Sequence, residues 1–148
     1  RDASLAAFAG NAHARRTAVA HGVRGEFPDD AQKGAKIKEL SNSEYVIDMT
    51  GQTSLRELAA LIKGCKVYIS ADTGPLHFAA ALKKPLVAMY GPTKADRTGP
   101  YGSANSTVLL SPAKCRGCLK KNCKDWHCMH DISPEMVYEL YLKKLEMK

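Results

Sequence analysis

The sequence predicts an α/β fold, a parallel sheet with flanking helices. Three strand-like segments, 45–49, 66–70 and 86–90, alternate with two helix-like segments. The connections are short, and this β-α-β-α-β order is typical of parallel strands joined by crossover helices. Ligands of such sheets bind beyond the carboxyl ends of the strands, so the loops at those ends are the first places to search for a functional site.

Local signals predict where the elements begin and end. Ser54 and Glu57 have the spacing of a capping box, and the apolar residues after them recur at the helical period as far as Gly64, a typical helix stop. After the third strand, residues 107–110 are predicted as a fourth strand. The segment Ser133-Pro134-Glu135 is predicted to begin a last helix.

The first part of the chain has the weakest signals for secondary structure. Residues 1–44 contain alanine-rich, helix-compatible stretches such as 12–20, and residues 31–40 are compatible with a further helix, but no strand is predicted there. We therefore divide the chain into a helical N-terminal segment, 1–44, and a ligand-binding domain, 45–148, which carries a cysteine-rich loop at 115–128.

Composition limits which partners, cellular location and cysteine chemistry are expected. The net charge of +7 is spread along the chain, so it permits a polyanionic partner without requiring one. No apolar run approaches the ~18 residues of a membrane span, and no signal-peptide pattern is present, so a cytoplasmic location is expected. The five cysteines then favour thiols or a metal site over disulfides.

The most informative motif follows the second strand. Asp72, Thr73 and Gly74 form a turn, and Pro75 stands where the first turn of a helix tolerates proline. The free N–H groups and the helix dipole at such a turn suit a phosphate. The alternative is that Asp72 or Thr73 caps the helix with its side chain and that glycine only eases the turn.

Histidine 77 is a second candidate on the same helix. It lies four residues after Thr73, which places both on one side of the helix near its beginning. His77 could donate a hydrogen bond to a phosphate or hydroxyl, or it could pack under a neighbouring loop as a structural residue.

The cysteine-rich loop is a candidate metal site. Four thiols are spaced Cys115-x2-Cys118-x4-Cys123-x4-Cys128. Four thiolates in one loop can enclose a structural zinc ion. Reduced structural thiols or a redox-labile pair are the alternatives, since only one CxxC pair is present.

Taken together, the motifs resemble the C-terminal domain of glycosyltransferase family nine, the lipopolysaccharide heptosyltransferases. The motifs that carry the resemblance are Asp48-x-Thr50-Gly51, Asp72-Thr73-Gly74-Pro75-x-His77, Tyr90-Gly91-Pro92-Thr93 and Ile132-Ser133-Pro134-Glu135. The resemblance covers about residues 45–145, and residues 1–44 match poorly.

The resemblance implies the C-terminal, Rossmann-like half of a GT-B glycosyltransferase that moves heptose from ADP-heptose to the lipopolysaccharide core with inversion. It implies that catalysis needs no cofactor. It also implies a location at the cytoplasmic face of the inner membrane, where the protein could make peripheral contact with the membrane. The residues implied to bind the donor are Asp72 at the sugar, Thr73, Gly74 and His77 at the diphosphate, Met49 and Thr50 near the nucleotide, and Gly91, Pro92 and Thr93 in the pocket wall.

The resemblance assigns no catalytic base to this chain, and His77 is at most a stabiliser of the leaving group. The base and the acceptor site belong to the N-terminal domain of the family, so the chain alone is expected to bind donor weakly and not to transfer sugar. The family's basic phosphate ligand cannot be matched to Lys33, Lys36 or Lys38.

Two other functions are compatible with parts of the sequence. One is a non-catalytic module that binds nucleotide sugars. The other is a zinc-stabilised nucleic-acid binder built on the basic cysteine loop, but Asp125, Asp131 and the lack of interleaved aromatic residues argue against it. No nucleic-acid partner is therefore expected.

Overall fold

The computed structural model describes residues 17–19 and 28–146, with side chains from residue 31 onward. The strands are β1 (Thr17–Val19), β2 (Val46–Asp48), β3 (Tyr68–Ala71), β4 (Leu86–Tyr90) and β5 (Ser106–Leu110). The helices are α1 (Pro28–Ser41), α2 (Leu55–Gly64), α3 (Gly74–Ala81), α4 (Ala95–Thr98), α5 (His127–His130) and α6 (Pro134–Glu146). The chain divides into two compact units between Leu58 and Ala59.

The first unit contains a parallel pair of strands. Strand β1 pairs with β2 in the register Thr17 to Val46, and helix α1 packs against β2. The buried side chains Ile37 and Val46 belong to this unit. Helix α1 confirms the helix expected over 31–40, whereas the prediction that residues 1–44 hold no strand is wrong. Three residues are too few for a periodic signal, and this strand depends on a partner distant in sequence.

The second unit contains the strands that the sequence signals most clearly. Strands β3, β4 and β5 form a parallel sheet in that order, with β4 in the middle. Helix α3 packs against β3 and β4, and α6 packs against β4. Leu86, Val87 and Ala88 of β4 have no exposed surface, as expected of a parallel strand covered on both faces. The predicted fold class, a parallel sheet with flanking helices, is confirmed.

Side-chain caps fix two helix starts where the sequence predicts them. The Ser54 backbone N–H donates to Glu57 Oε2 at 2.7 Å, and the Glu57 N–H donates to Ser54 Oγ at 3.4 Å. These two bonds are the reciprocal pair of a capping box. At the start of α6 the Met136 N–H donates to Ser133 Oγ at 3.3 Å. The four-residue helices α4 and α5 were not predicted, since one turn has no period to detect.

Candidate functional site

The turn between β3 and α3 is not held by a side-chain cap. Thr73 is the N-cap residue in an extended conformation, and its side chain makes no capping hydrogen bond. Its Oγ1 lies 3.0 Å from Ser70 Oγ and 3.4 Å from the Ala71 carbonyl oxygen instead. The alternative in which Thr73 caps the helix is therefore wrong, and the beginning of α3 is left without a capping hydroxyl.

The Asp72 carboxylate contacts Tyr90 at the end of β4 and Thr98 at the end of α4 rather than its own helix. Thr98 Oγ1 donates to Asp72 Oδ2 at 2.7 Å, and Tyr90 Oη lies 3.5 Å from Asp72 Oδ1. Tyr90 Oη donates to the Thr98 carbonyl oxygen at 2.6 Å. We call Asp72, Tyr90 and Thr98 the carboxylate triad. It links the carboxyl ends of two neighbouring strands.

Tyr90 is the buried member of this triad. Its side chain is 1% exposed. Burial, and after it the negative charge of Asp72, raises the pKa of Tyr90 to about 12. The phenol therefore stays protonated at neutral pH and remains a hydrogen-bond donor.

Gly74 and His77 are both exposed at the beginning of α3. A Cβ on Gly74 would meet no heavy atom within 4 Å, and the residue is not in the left-handed region. Glycine is therefore not needed to ease the turn, and the open space beside it is compatible with close approach of a ligand. The exposure of His77 contradicts the alternative that it packs under a neighbouring loop.

Backbone hydrogen bonds join the predicted pocket wall at Gly91, Pro92 and Thr93 to the cysteine-rich loop. The Gly117 N–H donates to the Gly91 carbonyl oxygen, and the Leu119 N–H to that of Pro92, each at 2.8 Å. Gly91 is buried, and Pro92 and Thr93 are half-buried. The cysteine loop therefore braces this segment through the backbone.

Gly91 also marks a close backbone approach. A Cβ there would lie 2.5 Å from Met129 Sδ and 3.0 Å from the Cys128 carbonyl oxygen. No side chain fits this position unless helix α5 shifts. Gly91 is therefore required for packing, whatever contact it makes with a ligand.

Met49 and Thr50 belong to the first unit. Thr50 is buried, its N–H donates to Asp48 Oδ1 at 2.9 Å, and its Oγ1 has no hydrogen-bond partner among the described residues. A Cβ on Gly34 would lie 2.3 Å from Thr50 Oγ1, so α1 can approach this loop only with glycine there. Because Asp72 lies in the second unit, a joint site formed by Met49, Thr50 and Asp72 stays a prediction.

Lys36 and Lys38, which were considered as phosphate ligands, have structural contacts. Lys36 Nζ lies 3.0 Å from Glu39 Oε2 on the same helix. Lys38 Nζ donates to the carbonyl oxygens of Ser43, at 2.8 Å, and Val46. Lys38 therefore ties α1 to the start of β2.

The second unit also has an open cavity of about 400 Å³, whose lining includes both chain neighbours of Thr98, Arg97 and Gly99. Its walls come from α4, the following loop and the start of β5, and include Arg97 and Tyr101. None of the residues predicted to bind the donor lines it. We therefore keep the turn at Asp72 as the candidate site.

The four loop cysteines are free thiols in different surroundings. Cys115 and Cys118 are exposed, Cys123 is half-buried and Cys128 is buried. Burial raises the pKa of Cys128, and the nearby thiols of the other three raise it further. Among the described side chains, no group of three or more His, Cys, Asp or Glu residues has the arrangement of a metal site. Zinc binding stays a prediction.

Metal content tests that prediction directly. Protein purified without chelator is expected to contain about one zinc ion per chain, and Cys118→Ser is expected to lose it. Cys65→Ser is the matched control, because the Cys65 thiol donates to the Ile62 carbonyl oxygen outside the loop. A wild-type protein without metal, whose four loop thiols all react with a thiol reagent, would contradict the zinc prediction.

Sequence reasoning missed Tyr90 and Thr98 as parts of the site. Thr98 lies 26 residues beyond its partner Asp72, in a helix too short to be predicted. Tyr90 stands in the motif Tyr90-Gly91-Pro92-Thr93, but for Thr98 the available signal was the rule that the carboxyl ends of parallel strands gather at one edge of a sheet.

Comparison with known proteins gives consistent matches. The family model described as glycosyltransferase family 9 (heptosyltransferase) matches residues 23–128. The lipooligosaccharide heptosyltransferase 2 of Campylobacter jejuni is 33% identical over 117 residues, and the match covers 72% of this chain and 37% of that protein. The family match begins inside the segment 1–44, which the sequence resemblance left out.

Solved structures agree with the fold. The glycosyl transferase family 9 protein of Veillonella parvula has a TM-score of 0.79 and 26% identity, and the match covers 100% of this chain and 42% of that one. The Escherichia coli ADP-heptose lipopolysaccharide heptosyltransferase II has a TM-score of 0.76 and 24% identity, with 98% and 41% covered. The chain thus spans about two-fifths of the length of these relatives.

Proposed function

Because the chain belongs to glycosyltransferase family 9, the heptosyltransferases, we propose that it is the donor-binding part of an inverting enzyme that transfers heptose from ADP-heptose to the lipopolysaccharide core. The E. coli structural relative is named for this donor and for lipopolysaccharide, which supports the choice of substrates. The proposed site of action is the cytoplasmic face of the inner membrane. Within residues 28–146, no helix has the length and apolar character needed to cross a bilayer.

The observation that carries the proposal is the open beginning of helix α3. The turn lies at the carboxyl end of β3, its N-cap residue Thr73 makes no side-chain cap, and the space beside Gly74 is empty of protein atoms within 4 Å of an added Cβ. Pro75 has no N–H, and the Leu76 N–H donates to the Thr73 carbonyl oxygen at 3.0 Å, so the Gly74 N–H and the helix dipole are the groups that favour a phosphate here. A diphosphate leaving group gains negative charge as the sugar departs, so the same groups would stabilise the transition state.

The proposed roles follow the positions of the residues in the turn. Asp72 accepts hydrogen bonds from hydroxyls of the donor sugar, while Thr73 and Gly74 bind the diphosphate. His77, one turn further along α3, donates a hydrogen bond to the same phosphates. Met49 and Thr50 lie near the nucleotide, and the pocket wall is formed by Gly91, Pro92 and Thr93.

The base that deprotonates the acceptor hydroxyl is proposed to lie outside these residues, in an acceptor-binding half. Transfer itself is proposed to need no metal ion. Residues 1–148 alone are therefore expected to bind donor weakly and to release no ADP in the presence of a core acceptor.

A transfer assay tests this function. The protein from the complete reading frame, given ADP-heptose and heptose-deficient lipopolysaccharide core, is expected to release ADP and extend the core by one heptose. Sugar transfer by residues 1–148 alone would contradict the proposed division of labour. Binding of ADP-heptose without transfer by the complete protein would indicate a non-catalytic nucleotide-sugar module instead.

A further inference from the structure

Thr98 is held from two sides within the carboxylate triad. Its hydroxyl lies 2.7 Å from Asp72 Oδ2, and its carbonyl oxygen receives the hydrogen bond from Tyr90 Oη at 2.6 Å. The hydroxyl has one hydrogen, and the competing acceptor, the Lys94 carbonyl oxygen, lies further away at 3.1 Å. A carboxylate is also the stronger acceptor, so the hydrogen points to Asp72.

The contacts of the triad leave Asp72 able to bind a ligand. Each carboxylate oxygen can accept two hydrogen bonds. Thr98 uses one position on Oδ2, and Tyr90 Oη is at the limit of hydrogen-bond distance from Oδ1, 3.5 Å. A carboxylate fixed in this way still has free acceptor positions for hydroxyl groups. Because its side chain is already ordered, it loses little conformational entropy when the ligand binds.

We propose that Thr98 is a positioning residue that orients the Asp72 carboxylate toward the donor sugar, with Tyr90 holding Thr98 in place. This inference rests on the proposed function, in which Asp72 contacts the sugar and the start of α3 contacts the diphosphate. It follows that Thr98 affects the affinity for the nucleotide sugar and not the affinity for the nucleotide alone. The short helix α4 is thereby assigned to sugar recognition.

The backbone around Thr98 is consistent with a fixed position. A Cβ on the following residue, Gly99, would lie 2.3 Å from the Ala95 carbonyl oxygen. The short helix α4 can therefore end at Thr98 only with glycine next to it. Gly99→Ala is expected to displace Thr98 and to reproduce the loss caused by removing its hydroxyl.

The test compares the affinities for ADP-heptose and ADP by calorimetry on the protein from the complete reading frame. Thr98→Val keeps the shape of the side chain and removes the hydroxyl, and it is expected to weaken ADP-heptose binding about tenfold while ADP binding stays within about twofold. Thr98→Ser keeps the hydroxyl and is expected to bind both like the wild type. Thr107→Val, a half-buried threonine on β5, is the matched control and is expected to change neither affinity.

Three results would overturn the inference: Thr98→Val binding ADP-heptose like the wild type, Thr98→Val losing both ligands equally, or Thr98→Ser losing as much as Thr98→Val. If Thr98→Val does not fold, Tyr90→Phe tests the same triad and is expected to show the same selective loss. If Asp72→Ala weakens ADP-heptose binding and Thr98→Val does not, only this inference fails. If the wild type binds neither ligand, the proposed function fails with it.

Discussion

Asp72→Ala is expected to weaken ADP-heptose binding by about 10- to 150-fold, because a hydrogen bond to a charged group contributes about 1.5 to 3 kcal/mol. The substitution removes the acceptor proposed for the sugar hydroxyls. It also removes the partner of the Thr98 hydroxyl, which lies 2.7 Å from Asp72 Oδ2. The loss should therefore be at least as large as that of Thr98→Val.

Calorimetry with ADP-heptose measures this effect, and a melting curve of each variant verifies folding. Asp125→Ala is the matched control, since Asp125 is a 70% exposed carboxylate near His127 and has no proposed role in the site. Equal affinities of wild type and Asp72→Ala would mean that the turn serves the fold alone.

Gly91→Val is expected to destabilise the protein by about 2 to 3 kcal/mol. The new Cβ would lie 2.5 Å from Met129 Sδ and 3.0 Å from the Cys128 carbonyl oxygen. The sulfur belongs to a flexible side chain and can move, but the carbonyl is backbone, so helix α5 must shift. The displaced loop would also lose its bonds to Gly91 and Pro92.

Urea unfolding measures the free-energy change for Gly91→Val. Gly64→Ala is the matched control, because a Cβ there meets no heavy atom within 4 Å, and it is expected to leave stability unchanged or raise it slightly. If the urea concentration at the midpoint of unfolding is the same for Gly91→Val and the wild type, the packing around Gly91 accommodates the larger side chain, contrary to this prediction.

The sequence predicted most of the fold where the signals are local. The strand Leu86–Tyr90 has the bounds that the sequence predicts, and the capping box at Ser54 and Glu57 is confirmed by its hydrogen bonds. Strand β1 was missed, since its three residues gain their structure from pairing with β2. A strand of three residues is too short to show an alternation of apolar and polar side chains, so its pairing with a distant segment cannot be predicted from its own sequence.

The candidate site was predictable only in part for the same reason. The turn at Asp72 to Gly74 is a local motif, and the order of glycine, proline and helix was enough to find it. The bond from Thr98 to Asp72 spans 26 residues, so nothing near either residue indicates the other. The alternative in which Thr73 caps the helix could be rejected only with the structure, which shows that the Thr73 side chain makes no cap.

The proposed function places the diphosphate and the sugar of a nucleotide-sugar donor at the turn after β3. This placement is tested by a calorimetric titration of ADP-heptose into the wild-type protein from the complete reading frame, repeated in the presence of saturating ADP. One saturable site per chain is expected, which ADP blocks and which Asp72→Ala weakens. Binding that survives saturating ADP, or no binding of ADP-heptose at all, would contradict it.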